Sequence, residues 1–238
     1  MGTETTFIYG RNPVREALKA KRVKSILLTD SMNDKVILEE IKLQRIESKI
    51  VSSNELTNKL KVDKHQGVAA IVKPYEYIDL NEIIRRSKNV DVPIILILDG
   101  INDPHNLGAI LRSCDVFNVS GVVIGRHNQV PLNATVAKTS AGAINFVPVA
   151  LVNNINSALE RLKENGFWVV STDGAATISY SELKYDFPIA LVVGSEGEGV
   201  SRLILKNSDY IVKIPQYGHV NSLNASVAAA ILLSRIRS

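Results

Sequence analysis

The C-terminal two-thirds of the chain alternates short apolar runs with amphipathic stretches. Residues 94–98 are consecutive aliphatic side chains, which is typical of a strand covered on both faces in a parallel sheet. Similar apolar runs recur at residues 121–124, 146–149, 167–171, 190–193 and 210–214, and helical periodicity fills residues 107–117, 133–142, 155–165, 200–207 and 222–236. This alternation predicts an α/β domain with a mainly parallel sheet, whose ligands bind where the strands end.

The N-terminal part shows a shorter version of the same pattern. Strands are predicted at residues 7–10, 25–28 and 68–72, and helices at residues 12–18, about 33–47 and 54–60. Between Pro74 and Pro93 the chain is polar, with one short helix predicted at residues 80–87. We therefore expect a compact α/β unit over residues 1–73, a linker over residues 74–92 and a second domain over residues 93–238.

The net charge of +4 lies entirely in the first third of the chain. Residues 1–73 hold 14 Lys or Arg against 9 Asp or Glu, whereas residues 74–238 hold 14 against 15. The surplus indicates either a polyanion-binding module or a solvated charged surface. The candidates for contact with a polyanion are Arg11 and Arg15, which share a predicted helical face, and His65, in a polar loop predicted to be exposed that is either a contact or a turn.

The composition, 45% hydrophobic and 22% charged, is that of an ordinary globular protein. The longest apolar run, residues 227–233, is far shorter than the roughly 20 residues that span a bilayer, so no membrane helix is expected. One cysteine and four scattered histidines indicate neither a disulfide nor a metal site, and Cys114 is predicted to be a packing residue. Since the N-terminus also lacks a secretory signal, we expect a cytoplasmic protein.

Loops after the predicted strands carry the candidate chemistry. The loop at residues 99–108 lacks the G-x-G-x-x-G spacing, and the loop at residues 194–199 is not followed by Lys-Ser or Lys-Thr, so neither a dinucleotide fingerprint nor a P-loop is present. Asn106 opens a predicted helix and is either its cap or a ligand. Arg112 lies in an otherwise apolar helix, so we expect it to have a phosphate or carboxylate partner.

Three ordered motifs resemble those of the SpoU (TrmH-type) family of SPOUT methyltransferases. They are NDPHNLGAILRS at residues 102–113, VVGSEGEG at residues 192–199 and IPQYGHVNSLNASVA at residues 214–228. YGRNPVREAL at residues 9–18 and AKTSAGA at residues 137–143 extend the likeness. Among the branches of the family, the chain is most similar to the bacterial enzymes that methylate a guanosine ribose in 23S ribosomal RNA.

The resemblance implies a fold and an activity. The C-terminal domain would be a SPOUT domain with a parallel sheet and a deep trefoil knot, and would form a homodimer; the N-terminal α/β domain would resemble an RNA-binding ribosomal protein. The reaction would be 2′-O-methylation of a guanosine ribose in 23S RNA, with S-adenosylmethionine as cofactor. A transfer-RNA ribose methyltransferase and a noncatalytic ribosome assembly factor are the alternatives.

The resemblance also assigns residues. The catalytic site would contain Asn106, Arg112, Glu196, Ser222 and Asn224, and the cofactor would be held by Gly194, Ile214 and Leu223 together with Thr172 and Gly199. Because a guanidinium seldom gives up its proton, we expect Arg112 to bind the target phosphate and stabilise a developing alkoxide rather than act as a base. Glu196 would accept a proton or fix Arg112. The simpler interpretations are that Glu196 only pairs with a helix N-terminus near residues 199–200 and that Ser222 only caps the last helix.

Overall fold

The computed structural model describes residues 6–219 and 222–238 and divides the chain into two compact units. The first unit comprises Met1–Tyr75 together with Leu132–Phe146, and the second comprises Glu76–Pro131 together with Val147–Ser238. Most of the stretch predicted as a linker, residues 74–92, thus groups with the second unit. Residues 132–146, which we expected in the second domain, group with the first.

The first unit is a four-stranded sheet with helices. Its strands are β1 (Thr6–Tyr9), β2 (Val23–Leu28), β3 (Glu47–Ile50) and β4 (Val68–Val72), in the order β1-β4-β2-β3, and its first helices are α1 (Arg11–Lys19), α2 (Lys35–Leu43) and α3 (Ser53–Leu60). Strand β4 is antiparallel to β1 and β2, whereas β3 is parallel to β2. Leu18, Ile26, Ile37 and Leu56 are almost completely buried between these elements.

One strand of this unit was not predicted. Strand β3 has the sequence ESKI, and all four of its residues are exposed at the end of the sheet. Exposed edge strands carry charged side chains and lack the apolar alternation that marks a half-buried strand. The predicted helix at residues 33–47 therefore ends earlier, at Leu43, and the chain continues into β3.

The second unit contains a seven-stranded sheet in which all neighbouring strands are parallel. Its order is β7-β6-β5-β10-β8-β11-β9, with β5 (Ile94–Asp99), β6 (Gly121–Gly125), β7 (Val149–Val152), β8 (Trp168–Thr172), β9 (Ile178–Ser179), β10 (Ile189–Gly194) and β11 (Tyr210–Lys213). Its helices are α4 (Leu80–Ser87), α5 (Pro104–Val116), α7 (Ile155–Glu164), α8 (Arg202–Lys206) and α9 (Ala225–Ile236). The predicted α/β class with a parallel sheet is confirmed.

Three details of this unit differ from the sequence prediction. Helix α4 buries Leu80, Ile83 and Ile84 in the core of the unit rather than belonging to a polar connection. The strand expected at residues 146–149 is β7, three residues later. The two-residue strand β9 was not predicted, because it is too short to show a period.

Helix α6 (Ala134–Thr139) and a 3₁₀ turn at Ala143–Asn145 lie between β6 and β7 in sequence but pack in the first unit. The Lys138 ammonium lies 5.1 Å from the centre of the Tyr9 ring. Gly142 has a φ of +100°, and a Cβ built on it would come within 2.2 Å of the Glu16 side chain. Only glycine allows this close approach to α1.

Candidate active site

The loops predicted to carry the chemistry of the second unit leave the same edge of its sheet. Strands β5 and β10 are neighbours, and their register pairs Asp99 with Gly194, so the two following loops start side by side. Strand β11, two positions further along, delivers the third loop to this edge. Because carboxyl ends of parallel strands meet at one edge, polar side chains from distant parts of the chain are brought together there.

A carboxylate and two amides form a hydrogen-bonded cluster at this edge. The Asn106 Nδ2 donates to Glu196 Oε1 at 2.9 Å, and the Asn224 Nδ2 donates to Asn106 Oδ1 at 2.9 Å and also to Glu196 Oε1. The backbone N–H of Ala225 donates to the same oxygen at 3.3 Å. Glu196 Oε1 therefore accepts three hydrogen bonds, while Oε2 has no partner among the described residues and stays available to a ligand.

Local structure fixes each member of the cluster. Helix α5 is capped by Asp103, whose carboxylate accepts from the His105 N–H at 2.8 Å, so Asn106 lies inside the first turn. The simpler interpretation of Asn106 as a helix cap is therefore wrong. Asn224 caps α9, its Oδ1 accepting from the Ser226 N–H at 3.0 Å, so the capping role considered for Ser222 falls to Asn224.

The loop that carries Glu196 is a tight turn on a glycine framework. Its ends are closed by the Gly199 N–H, which donates to the Ser195 carbonyl at 3.0 Å. A Cβ at Gly194 would lie 2.1 Å from the carbonyl carbon of Gly199, so any side chain there would displace the turn. The turn thus requires glycine at this position because two backbone segments touch.

A cavity of about 400 Å³ opens on one side of this turn. All five residues predicted to hold the cofactor line it, as do Glu196 and Ser222: the predicted five are Thr172, Gly194, Gly199, Ile214 and Leu223. Sequence reasoning did not identify Asp173, Lys213 and Gln216, which also line the cavity. The mixed apolar and polar wall and the volume are typical of a site for a small organic ligand.

A second cavity, of about 720 Å³, lies along the same turn and also reaches the cluster. It is lined by Asp99, Gly100, Ile101, Asn102, Asp103, Asn106, Asn128, Ser195, Glu196, Gly197, Glu198, Gly199, Ser201 and Ala225. Both cavities include Glu196, so a ligand in either one would approach the same carboxylate. Asp99 and Asn128 line this cavity but were not predicted, because their only mark in the sequence is their position after buried strands.

Arg112 is placed differently from the expectation. The side chain is exposed rather than buried, so it needs no carboxylate partner within the protein. No described residue forms an ion pair or hydrogen bond with its guanidinium. Six residues after Asn106 on α5, it is about 9 Å further along the helix and about 120° around it. Neither cavity includes it. The structure therefore brings Asn106, Glu196, Asn224 and Ser222 to one edge but leaves Arg112 exposed further along α5.

The candidate contacts of the first unit divide into two kinds. His65 is 4% exposed, and its two ring nitrogens lie 3.1 Å from the Thr57 hydroxyl and 3.1 Å from the Gly67 N–H. The expectation of an exposed His65 is wrong, because the imidazole organises the turn before β4 from inside. Arg15 is partly exposed but forms a two-point pair with Asp34, and the backbone N–H of Arg11 donates to Gln66 Oε1 at 2.8 Å.

Asp34 is a structural carboxylate in the first unit. Its burial opposes ionisation, but hydrogen bonds from Arg15 and the Ile37 N–H, together with the charges of Arg15 and Arg11, outweigh this and lower the pKa of Asp34 below its usual value. An ionised Asp34 therefore stabilises the folded unit above the unfolded pKa, and this contribution is lost as the pH falls through the lower, folded pKa.

We expect Asp34→Asn, which keeps the cap of α2, to lower the free energy of unfolding by about 1–2 kcal/mol at neutral pH, since Arg15 is partly solvated. Chemical denaturation of both proteins from pH 7 down to pH 3 measures the difference, which should shrink in acid. A difference that stays constant across this range would show that the ion pair is not its source.

Cys114 behaves as the sequence predicted. It is completely buried on α5, and burial raises the pKa of its thiol far above the usual value. A thiol that stays protonated is a poor nucleophile, so Cys114 serves packing.

Within the described part of the chain, no helix is long and apolar enough to cross a membrane. In the same residues, no group of three or more His, Cys, Asp or Glu side chains is placed to hold a metal ion.

A parallel sheet with an amide-carboxylate cluster and two cavities at its carboxyl edge defines an α/β domain with a candidate site for small ligands. Two family models match the chain: the SpoU rRNA methylase family over residues 93–234, and the substrate-binding domain of RNA 2′-O ribose methyltransferases over residues 7–78. The chain belongs to the SpoU methylase family, a family of RNA methyltransferases. The family predicted from the three motifs is confirmed.

Individual relatives agree with this assignment. A protein of Staphylococcus aureus (strain MSSA476) described as a putative TrmH family tRNA/rRNA methyltransferase is 42% identical over 240 residues, which cover 98% of this chain and 96% of that protein. The AdoMet-bound rRNA methyltransferase from Sinorhizobium meliloti shares the fold, with a TM-score of 0.85 at 23% identity over 99% of this chain and 87% of that one. The A. aeolicus TrmH/SpoU tRNA modifying enzyme matches with a TM-score of 0.56 at 30% identity, covering 66% and 82%.

Proposed function

We propose that this protein transfers a methyl group to the 2′-hydroxyl of a guanosine ribose in 23S ribosomal RNA. The observation that carries the proposal is the cluster of Asn106, Glu196 and Asn224, whose carboxylate, Glu196, lines both cavities. A methyl transfer needs two ligands held next to each other with their reacting atoms aligned, and such positioning is worth about 7–11 kcal/mol.

The residues of the smaller cavity fit S-adenosylmethionine, the methyl donor of the family. Val193, Val212 and Leu223 supply an apolar surface for an adenine ring, and Glu196 and Glu198 supply negative charge near a cationic ligand. The glycine turn lets backbone groups approach the ligand closely. When bound, the cofactor supplies an electrophilic methyl group on a positively charged sulfur.

Glu196 has the geometry of a proton acceptor. Its Oε1 is held by three donors, so the carboxylate cannot rotate freely, and Oε2 is free to accept from an incoming hydroxyl. Asn106 and Asn224 orient the carboxylate through these hydrogen bonds. We assign Glu196 the role of accepting the ribose proton, with Ser222 contributing a hydroxyl at the cavity wall.

Arg112 would act on the RNA rather than on the cofactor. An exposed guanidinium without a protein partner is suited to bind a phosphate, and its positive charge would stabilise the oxyanion that develops on the ribose. This role explains why Arg112 lies outside both cavities.

The choice of 23S RNA rests on the first unit. Its sequence carries the whole positive surplus of the chain and matches a substrate-binding domain of RNA ribose methyltransferases. Transfer RNA is the second candidate, because the Staphylococcus relative is described as acting on either RNA. Arg11 and Arg15 remain the proposed RNA contacts of this unit, whereas the burial of His65 removes it from them.

The proposal includes a homodimer, a knot and a cytoplasmic location. Helices α5 and α9 pack together, and each leaves a valine exposed, Val116 by 71% and Val227 by 45%. Sedimentation velocity would reveal a monomer if these two helices did not pair with a second copy of the chain. The knot is tested by stretching a single molecule by its two ends. An unknotted chain extends to roughly 3.3–3.6 Å per residue, and a knotted chain stays shorter than this.

The decisive test of the function is a transfer assay with labelled methyl groups. Purified protein is incubated with S-adenosylmethionine and unmodified transcripts of 23S and transfer RNA, and the methylated ribose is mapped. We expect one guanosine in 23S RNA. A mark in transfer RNA would change the substrate and keep the chemistry, whereas tight RNA binding without cofactor binding or methylation would indicate a noncatalytic assembly factor.

A further inference from the structure

We propose that the larger cavity receives the base of the acceptor nucleotide and that Asp99 selects guanine by accepting its hydrogen-bond donors. The inference rests on the proposed function, since it assigns a position to the nucleotide that is methylated. The cavity of about 720 Å³ is lined by Asn106 and Glu196 of the cluster and also by Asp99. A nucleoside bound there could bring its ribose to Glu196 with its base towards Asp99.

The charge of this cavity favours a neutral ligand that donates hydrogen bonds. Asp99, Asp103, Glu196 and Glu198 contribute carboxylates, and among its described lining residues there is neither lysine nor arginine. A phosphate would be repelled by these groups, and ionised carboxylates only accept hydrogen bonds. The phosphates of the RNA would therefore stay outside the cavity, and the part of the nucleotide that enters would be the base and its sugar.

Asp99 is fixed in a position to read that base. It is the last residue of β5 and is partly buried, and its Oδ2 accepts from the Ser201 N–H at 2.8 Å. Its Oδ1 has no partner among the residues that the structure describes. The carboxylate is thus held by the protein through one oxygen and presents the other to the cavity, and it is not part of the cofactor cavity.

Guanine is the base whose Watson–Crick edge matches a carboxylate. It presents two adjacent donors, the N1–H and the N2 amino group. Adenine and cytosine place an acceptor nitrogen at the corresponding position, which would face the carboxylate with lone pair against lone pair, and uracil offers a single donor between two carbonyls. A site built to pair polar groups rejects a ligand that leaves them unpaired.

The test compares guanosine with inosine, which lacks only the N2 amino group. The probe is a fragment of 23S RNA that spans the mapped position and carries either nucleoside there. We expect the wild type to prefer guanosine in kcat/KM by about 10- to 100-fold, as for a hydrogen bond to a charged group. In Asp99→Asn, the amide oxygen can still accept from Ser201 and the amide nitrogen faces the base, so the preference should fall below about threefold.

Two controls separate base reading from loop structure. Asp103→Asn removes the same charge from the same cavity wall and keeps the cap of α5, and it should retain the preference for guanosine. The affinity of Asp99→Asn for S-adenosylmethionine, measured by calorimetry, should stay within about threefold of the wild type because Asp99 lies outside that cavity.

The outcomes distinguish this inference from the proposed function. A wild-type enzyme that methylates inosine as well as guanosine overturns the inference alone, whatever the variants do. A methyl mark on adenosine, cytidine or uridine also overturns it and leaves the methyltransferase activity intact. The absence of methylation on every RNA overturns the proposed function, and the inference falls with it.

Discussion

Replacing Arg112 by alanine should lower the rate of methyl transfer by about 100- to 1000-fold and leave the affinity for S-adenosylmethionine within about twofold. The side chain is exposed, has no protein partner among the described residues and lies outside the cofactor cavity. Its removal should therefore disturb neither the packing of the protein nor a contact with the cofactor. It removes only a positive charge that would bind the RNA. Single-turnover rates with saturating RNA, together with calorimetric titration of the cofactor, measure the two effects separately.

Arg126→Ala is the matched control for this variant. Arg126 is also an exposed arginine of the second unit, at the end of β6, where it donates to Asn153 at 2.9 Å. Its removal should leave the rate within about twofold, because Arg126 lines neither cavity. A loss of cofactor affinity in Arg112→Ala as large as the loss in rate would refute the phosphate role.

The strands were predictable where the sheet is buried on both faces. Residues 94–98 and 190–193 are continuous aliphatic runs because helices cover both sides of β5 and β10. No polar residue interrupts these runs, so the strands are easily recognised in the sequence. Strand β3 was missed for the opposite reason, since it lies exposed at a sheet edge. The apolar periodicity of a segment reflects which of its side chains are buried. An element that buries few side chains therefore shows little periodicity in the sequence.

The domain boundary was less predictable than the strands. The boundary depends on which surface each amphipathic helix covers, both in the linker predicted over residues 74–92 and in Leu132–Phe146. Periodicity identifies the apolar face of a helix but not the surface on which that face packs. The close contact of Gly142 with Glu16 joins residues 126 positions apart, which no local window contains. Tertiary packing decides such placements.

The candidate site shows what motifs can and cannot predict. The resemblance brought Asn106, Glu196 and Asn224 together before their contacts were known, and the sheet-edge rule explains how these three meet. It gave no reason to notice Asp99, whose significance comes from a cavity formed by three separate loops. His65 was overestimated because a polar residue in a turn gives no indication whether it points out or in.

Glu196→Gln should slow methyl transfer by about 100- to 10,000-fold, the range expected when a general base is lost. Glutamine keeps one oxygen that can accept from Asn106, Asn224 and the Ala225 N–H, so the turn should survive and the melting temperature should change by only a few degrees. Quenched reactions at several pH values and saturating S-adenosylmethionine give the rate. Under these conditions Glu198→Gln, which removes a neighbouring exposed carboxylate, should slow it no more than about fivefold. Because the two substitutions remove equal charge from one loop, a purely electrostatic role for Glu196 would make their effects similar. A much larger effect at Glu196, with the melting temperature preserved, is the result expected if its free Oε2 accepts the proton.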